Sequence, residues 1–319
     1  MNDIFEILKK ELPNVQKNVL LKDYTTFNIG GPAAYFLEAS KKEDLVRALR
    51  LAKKLNVRTF VLGGGSNLLV SDNGFLGLVV KATNKKITLA SKIIIEAGTG
   101  AELGDVVTFA IEKSLQGLEW AGGLPGTFGG AIRGNAGAFG GEMKDSIFQV
   151  EALDKNLALR KFSNKKSQFS YRSSIFKRKQ WVIICAKVKL KKGNRKELQD
   201  IANSRINYRK EKHPLEYPSA GSVFKNVDVK KIPLKFQKVF ADKIKKDPFS
   251  IVPAAWFIIG AGLTGAKIGQ AQISQKHSNY IVNLGEATAK DVLQLMALAK
   301  KKVKKMYGIA LEQEVQYLE

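Results

Sequence analysis

The chain has 319 residues, 45% hydrophobic and 26% charged, which excludes a disordered or fibrous polymer and leaves room for about two domains with cores of their own. Its 53 basic residues against 29 acidic ones give a net charge of +24, compatible with a nucleic-acid partner, an anionic small molecule or a merely lysine-rich surface. The single cysteine, Cys185, excludes an intrachain disulfide and, inside the apolar run Trp181–Ala186, is expected to be a buried strand thiol.

Taken in chain order, Ile4, Phe5, Leu8 and Leu12 have helical spacing, and acids stand near the N-terminus where a secretion signal requires bases. Ser40 with Glu43 reads as a capping box opening a helix with Leu45, Leu49, Ala52 and Leu55 on one face, and Asn56 ends it. Short strand-like runs follow at Val57–Leu62, Leu68–Val70, Leu78–Val80 and Ile93–Ile95, with a helix near 101–115. Lys189–Arg195 reads as a strand end and connector, after which Asn194 and Glu197 open a helix carrying Leu198, Ile201 and Ile206. The last long helix starts at Thr288 with Asp291 as its box partner, buries Val292, Met296, Ala299, Val303 and Met306, and stops at Gly308. No apolar run approaches the roughly 18 residues of a membrane span. A cytoplasmic protein with no membrane partner is expected.

The opposite face of that last helix carries Lys300, Lys301, Lys302, Lys304 and Lys305, a pattern that reads as a solvated surface. A nucleic-acid binder adds interleaved aromatics or a recognisable module, and neither accompanies these lysines. The basic balance suits a cleft for an anionic ligand better.

Two glycine clusters carry the chemistry. The first is Leu62-Gly63-Gly64-Gly65-Ser66-Asn67, at the end of a strand; the second places nine glycines in the 21 residues 121–141. Dense glycine lets backbone N–H groups crowd around a ligand, which suits the anionic oxygens of a pyrophosphate, whereas tight turns alone account for only a few of these residues. No Gly-x-x-x-x-Gly-Lys-Ser/Thr sequence occurs, which excludes a P-loop. Gly260-Ala-Gly262-Leu-Thr-Gly265 matches a dinucleotide fingerprint formally. It is preceded by a helix-like run and followed by extended chain, the reverse of what that fold requires.

Seven motifs in order resemble the UDP-N-acetylenolpyruvoylglucosamine reductase (MurB) family. They are Thr25–Pro32, Leu62–Asn67, Pro125–Gly130, Asn135–Phe139, Tyr171–Phe176, Tyr217–Asn226 and Leu311–Val315. The resemblance implies an α+β fold: an FAD-binding module of the vanillyl-alcohol-oxidase (PCMH) type in two subdomains, 1–58 and 59–192, then an α+β substrate-binding domain, 193–305. A C-terminal segment, 306–319, would return to the active site. It implies a monomeric enzyme of peptidoglycan precursor synthesis, in which NADPH reduces FAD and the enolpyruvyl ether of a UDP-sugar is then reduced to the lactyl ether. FAD contacts fall on Leu62, Gly63, Gly64, Gly65, Ser66 and Asn67, on Pro125, Gly126, Thr127, Gly129 and Gly130, and on Asn135, Ala136 and Gly137. The only histidines, His213 and His277, lie outside these loops, so the flavin is expected to be held noncovalently; no metal is expected.

By the same resemblance Arg172 and Glu314 stabilise charge built up on the substrate, Glu314 as a neutral or proton-sharing partner, and Ser222 delivers the proton. Tyr171, Lys212, Asn226 and His277 fall where the UDP-sugar is held. Read without the resemblance, Arg172 and Glu314 could equally be a structural ion pair, and Ser222 a turn serine. Between Arg172 and Ser222 the chain has 222 − 172 = 50 residues, too few for the tyrosine-bearing insert of the larger members, so it resembles the smaller, second type. A flavin oxidase of the same fold is the alternative enzyme, and a basic nucleic-acid-binding protein the alternative outside enzymes. The absence of a histidine in the glycine loops, with Arg172, Ser222 and Glu314 together, weighs against the oxidase.

Overall fold

A computed structural model describes residues 4–319; Met1–Asp3, the start of the N-terminal helical reading, lie outside it. The chain divides into two compact units, one comprising the chain through residue 19 with 33–64 and 75–207, the other comprising 20–32, 65–74 and 208–319.

The first unit has two sheets. In the smaller, Pro32–Ala39 and Thr59–Leu62 flank Phe75–Ala82 in parallel, with Gln16–Leu20 at the edge. Helix Lys42–Lys54 covers it, burying Leu45, Ala48, Leu49 and Ala52 against Leu37, Leu78 and Val80, and Asn56 beyond its end takes a left-handed φ of 55°. The expected Ser40 capping box does not form. The preceding strand stays paired through Ala39, so the helix begins later, behind Lys41, with no side-chain cap. The second sheet is antiparallel across Leu159–Ser163, Ile147–Leu153, Val182–Lys189, Ile94–Gly98 and Ile87–Ser91. Helix Leu103–Glu112 buries Leu103, Val106, Val107, Ala110 and Ile111 in the same core.

Cys185 is in the expected strand but only half-buried. Its Sγ lies 3.6 Å from Glu151 and 3.9 Å from Glu96, and burial together with those carboxylates pushes the thiol up to about 12, so it stays protonated.

The helix opened by Asn194 runs Arg195–Lys212, and Asn194 Oδ1 accepts from the N–H groups of Lys196 and Glu197. Its buried stripe is not the aliphatic one expected. Leu198 and Ala202 are buried and Ile201, turned about 100° away, is 38% exposed. In the second unit the stripe ends at a buried arginine, Arg209.

The second unit centres on the antiparallel sheet Ser219–Ser222, Tyr280–Asn283, Ala271–Ile273 and Lys267–Ile268, covered by helix Ala289–Tyr307. Thr288 and Asp291 form the expected capping box, and Gly308 ends the helix at φ 72°. Met306 is 49% exposed and Tyr307 takes its place in the core, because Phe236 and Phe257 pack on that ring at 5.1 and 5.7 Å. The formal dinucleotide fingerprint lies at the end of helix Ala254–Gly260 and runs into the edge strand Lys267–Ile268, so it is no nucleotide loop.

Candidate active site

In the first unit the two glycine clusters meet backbone to backbone. A Cβ on Gly63 would fall 2.5 Å from Thr127 Oγ1, and one on Gly64 would fall 2.9 Å from the Gly126 Cα. Neither position admits a side chain without displacing the neighbouring loop. Leu62 is buried in the core, so it can offer only its main chain, whereas Pro125 and Gly130 are exposed and Gly63, Gly64 and Gly126 stay partly accessible. The N–H groups of Phe128 and Gly129 are taken by the carbonyls of Ala101 and Thr99, at 2.7 and 3.0 Å. A Cβ on Gly129 would collide with the Thr99 side chain, so this glycine is required by packing inside the protein; Gly130 meets only Thr127 Oγ1, at 3.4 Å. Two touching loops whose accessible surface is glycine backbone fit a pyrophosphate-bearing cofactor.

Asn135 stands at the end of helix Phe128–Gly134 with φ 45°, completely buried. Its Nδ2 donates to Ser170 O at 3.1 Å and its Oδ1 accepts from Lys144 N at 3.0 Å. The side chain expected at the cofactor therefore anchors the loop that carries Arg172. Ser170 and Ser173 exchange backbone hydrogen bonds, each 3.0 Å, in a tight turn that sets Arg172 at φ 53°. Such a conformation is uncommon for a residue with a side chain and persists where the surroundings over-determine it. Arg172 Nη2 donates to Gly137 O at 2.9 Å, the guanidinium lies 4.9 Å from the Tyr171 ring centre, and Lys177 Nζ donates to Arg172 O at 3.1 Å. Ala136 N donates to Ala131 O and its carbonyl accepts from Met143 N, so the backbone of this segment is fixed on both sides.

In the second unit Ser222 and Glu314 are brought together through the main chain. Ser222 ends a strand directly opposite Tyr280, after an irregularity in register at Gly221, where φ is 73°. Glu314 N donates to Val223 O at 2.8 Å, and Asn67 Nδ2 donates to Glu314 O at 3.3 Å. Gln316–Leu318 then pairs in parallel with Leu68–Val70. Of the first cluster's residues, Gly65 abuts Tyr24 and Thr25, Ser66 is half-buried, and Asn67 holds Glu314.

The expected substrate contacts are distributed more loosely. Lys212 is exposed at its helix end and paired with Glu211 at 2.5 Å, which raises its pKa. Asn226 Oδ1 accepts from Ala254 N at 3.3 Å, tying it to the start of helix Ala254–Gly260. His277 is half-buried, its Nδ1 accepting from Asn279 N at 3.2 Å, and burial lowers its pKa.

One residue that sequence reasoning missed is Asn279. Buried, it accepts from Phe224 N through Oδ1 at 3.0 Å, donates to Phe224 O through Nδ2 at 2.8 Å, and offers its own carbonyl to Val223 N at 2.8 Å. It clamps the two residues that follow Ser222. The only signal was an amide flanking the apolar run Tyr280–Val282.

Comparison with known proteins agrees with these features. A family model described as FAD binding domain matches residues 33–161, and one described as UDP-N-acetylenolpyruvoylglucosamine reductase, C-terminal domain, matches 213–318. The chain is 39% identical over 318 residues to the UDP-N-acetylenolpyruvoylglucosamine reductase of Caldanaerobacter subterraneus, covering 97% of each protein. It is 40% identical over 300 residues to that of Caldicellulosiruptor bescii, covering 93% of this chain and 88% of the other. Among solved structures, the reductase from Thermus caldophilus superposes with a TM-score of 0.76 at 32% identity, covering 96% of this chain and 99% of that one.

The fold is α+β with an FAD-binding domain, and the protein class is FAD-dependent oxidoreductase. Within that class, the chain belongs to the UDP-N-acetylenolpyruvoylglucosamine reductase family, in its smaller form.

Proposed function

We infer that this chain reduces the enolpyruvyl ether of UDP-N-acetylglucosamine enolpyruvate to UDP-N-acetylmuramate with NADPH, in peptidoglycan precursor synthesis. FAD, when bound, carries the hydride between the two substrates. The observation that most supports the division of labour is the Val223–Glu314 main-chain hydrogen bond, which joins the two sequence-distant segments that carry Ser222 and Glu314.

Residues 1–58 and 59–192 are assigned to FAD binding, 193–305 to the substrate, and 306–319 to completing the active site. The backbone of 62–67 and 125–130 takes the cofactor's pyrophosphate and ring, with Asn135, Ala136 and Gly137 bordering it through main-chain atoms. Arg172 presents a planar fork of donors to the substrate carboxylate, where negative charge grows as hydride adds to the neighbouring carbon. Glu314 shares a proton with that carboxylate, and Ser222 gives up its hydroxyl proton to the carbanionic carbon, a step that works because so basic a centre lies in line with it. Tyr171, Lys212, Asn226 and His277 hold the UDP-sugar. The enzyme acts as a monomer in the cytoplasm, where its nucleotide-sugar substrate and NADPH are available. Among the described residues no helix is long and apolar enough to cross a membrane.

The test is the visible spectrum of the purified protein before and after acid precipitation, followed by NADPH consumption on adding the enolpyruvyl substrate. Yellow colour released into the supernatant and consumption dependent on that substrate support the reading. A colourless protein, or a flavoprotein whose flavin is reduced by alcohols and reoxidised by dioxygen but not by the enolpyruvyl sugar, overturns it.

A further inference from the structure

Both histidines of the chain lie in one aromatic cluster behind the Ser222 strand. The rings of His213 and Tyr280 are 5.1 Å apart, those of His277 and Tyr280 4.8 Å, and those of the two histidines 5.5 Å. Within this triangle His213 Nδ1 and the Tyr280 hydroxyl are 3.0 Å apart, the one side-chain hydrogen bond among the three rings. Burial lowers His213 to about 4 and raises Tyr280 to about 12, so both are neutral near pH 7. His213 Nδ1 faces the only O–H in the triangle, and the tautomer that carries its proton on Nε2 lets Nδ1 accept that proton. Arg209, Lys276, Tyr208, His277 and Glu314 are the charged or titratable groups that act on the pair.

The cluster bears on the reaction through Tyr280. This residue is the direct cross-strand partner of Ser222, and the register between the two strands is irregular immediately before that pairing. One Cα step of slip would turn the serine to the other face of the sheet. The Asn279 clamp holds Val223 and Phe224 after the serine, and the anchoring of the Tyr280 side chain holds the residue directly opposite it, so both aim the hydroxyl. Tyr280 is nearly buried, and its only side-chain hydrogen bond among the described residues goes to His213. His213 itself is anchored at the end of helix Arg195–Lys212 by its N–H to Arg209 O at 2.9 Å.

We propose that His213 is a positioning residue of the reduction: by accepting the Tyr280 hydroxyl it locks the strand pairing that aims Ser222. The inference rests on the assignment of Ser222 as proton donor. It gives the histidine beside the substrate lysine a role distinct from sugar binding.

Stopped-flow absorbance of the holoenzyme separates flavin reduction by NADPH from reoxidation by UDP-N-acetylglucosamine enolpyruvate. His213→Phe keeps a ring and loses the acceptor. It should slow reoxidation about tenfold or more, while leaving the NADPH half-reaction and the KM for the UDP-sugar within about twofold. Tyr280→Phe should match it, and the double variant should be no slower than either single one, since both remove the same bond. His213→Gln, whose amide oxygen can accept, should recover most of the rate. In apoprotein, imidazole nitrogen NMR should move the His213 Nδ1 resonance in Tyr280→Phe, giving a readout independent of turnover. Wild-type reoxidation in His213→Phe, or losses that multiply in the double variant, overturns the proposal. If Ser222→Ala itself reoxidises normally, the proton-donor assignment fails, whatever His213 does. A His213→Phe protein that is cooperatively folded yet slowed equally in both half-reactions shows a merely structural histidine and also overturns it.

Discussion

The N–H of Glu314 donates to the carbonyl of Val223 at 2.8 Å, so the main chain of the residue proposed to share a proton with the substrate is tied to the neighbour of the proposed proton donor, Ser222. The bond belongs to the main chain, so substitution at either side chain leaves the link intact and the chemistry of each group can be tested separately.

Ser222→Ala removes only a hydroxyl from a half-buried strand end. FAD content and reduction by NADPH should persist, and reoxidation by the enolpyruvyl substrate should fall about 10²–10⁴-fold, the usual worth of general acid catalysis. Ser222→Cys should retain part of the rate. Stopped-flow measurement of each half-reaction checks this, and wild-type reoxidation in the alanine variant would assign the proton to another source.

The two adjacent glycines of the second cluster should respond differently. Gly129→Val drives a side chain into Thr99 and should lower the melting temperature or abolish soluble protein. Gly130→Val points to open space beyond Thr127 and should fold but bind little flavin. The ratio of visible to ultraviolet absorbance, with a thermal melt, distinguishes them; a fully yellow Gly130→Val would remove that residue from the cofactor loop.

Asn135→Ala should cost stability first and activity second. It leaves Lys144 N without its partner and takes from Ser170 O one of its two donors, beside a fully buried amide, and an unsatisfied buried group costs about 1–3 kcal/mol. Chemical denaturation should show that loss, and kcat should fall because the Ser170–Ser173 turn is no longer held. Unchanged stability would mean that water replaces the amide.

Lys212→Ala should leave the fold untouched, since this lysine is exposed and among the described residues pairs only with its neighbour Glu211. The KM for the UDP-sugar should rise, with flavin reduction by NADPH unchanged. An unaltered KM would return Lys212 to the solvated surface.

Stability should also depend on pH through His213. Its folded pKa, about 4, lies below the ordinary value of about 6.5, so between those limits the unfolded chain binds more protons. Stability is then full above about pH 6.5 and declines as pH falls towards 4. Melting temperatures across that range should fall more steeply for wild type than for His213→Gln; parallel curves would show that His213 titrates normally in the folded protein.

The features legible in the sequence were those set by neighbours a few residues away. Thr288 with Asp291, Asn194, Asn56 and Gly308 cap or stop helices through bonds and φ values that belong to their own turn. Ordered motifs likewise carried the family and the cofactor class, because glycine density and spacing are properties of the linear chain. Distant partners decided the rest. Ser40 failed as a cap because the strand before it stays paired through Ala39. Tyr307 displaced Met306 from the core because aromatic rings from 236 and 257 were waiting on one side of the helix. Gly129 is needed for Thr99, thirty positions back, and Asn135 serves the turn at 170–173. The clamp of Asn279 on Phe224, the hold of Asn67 on Glu314 and the His213–Tyr280 bond each join residues dozens to hundreds of positions apart. Such contacts leave no periodicity in the chain, since a hydrogen bond across the fold depends on where two backbones end up, and only the folded structure puts them within 3.5 Å of one another.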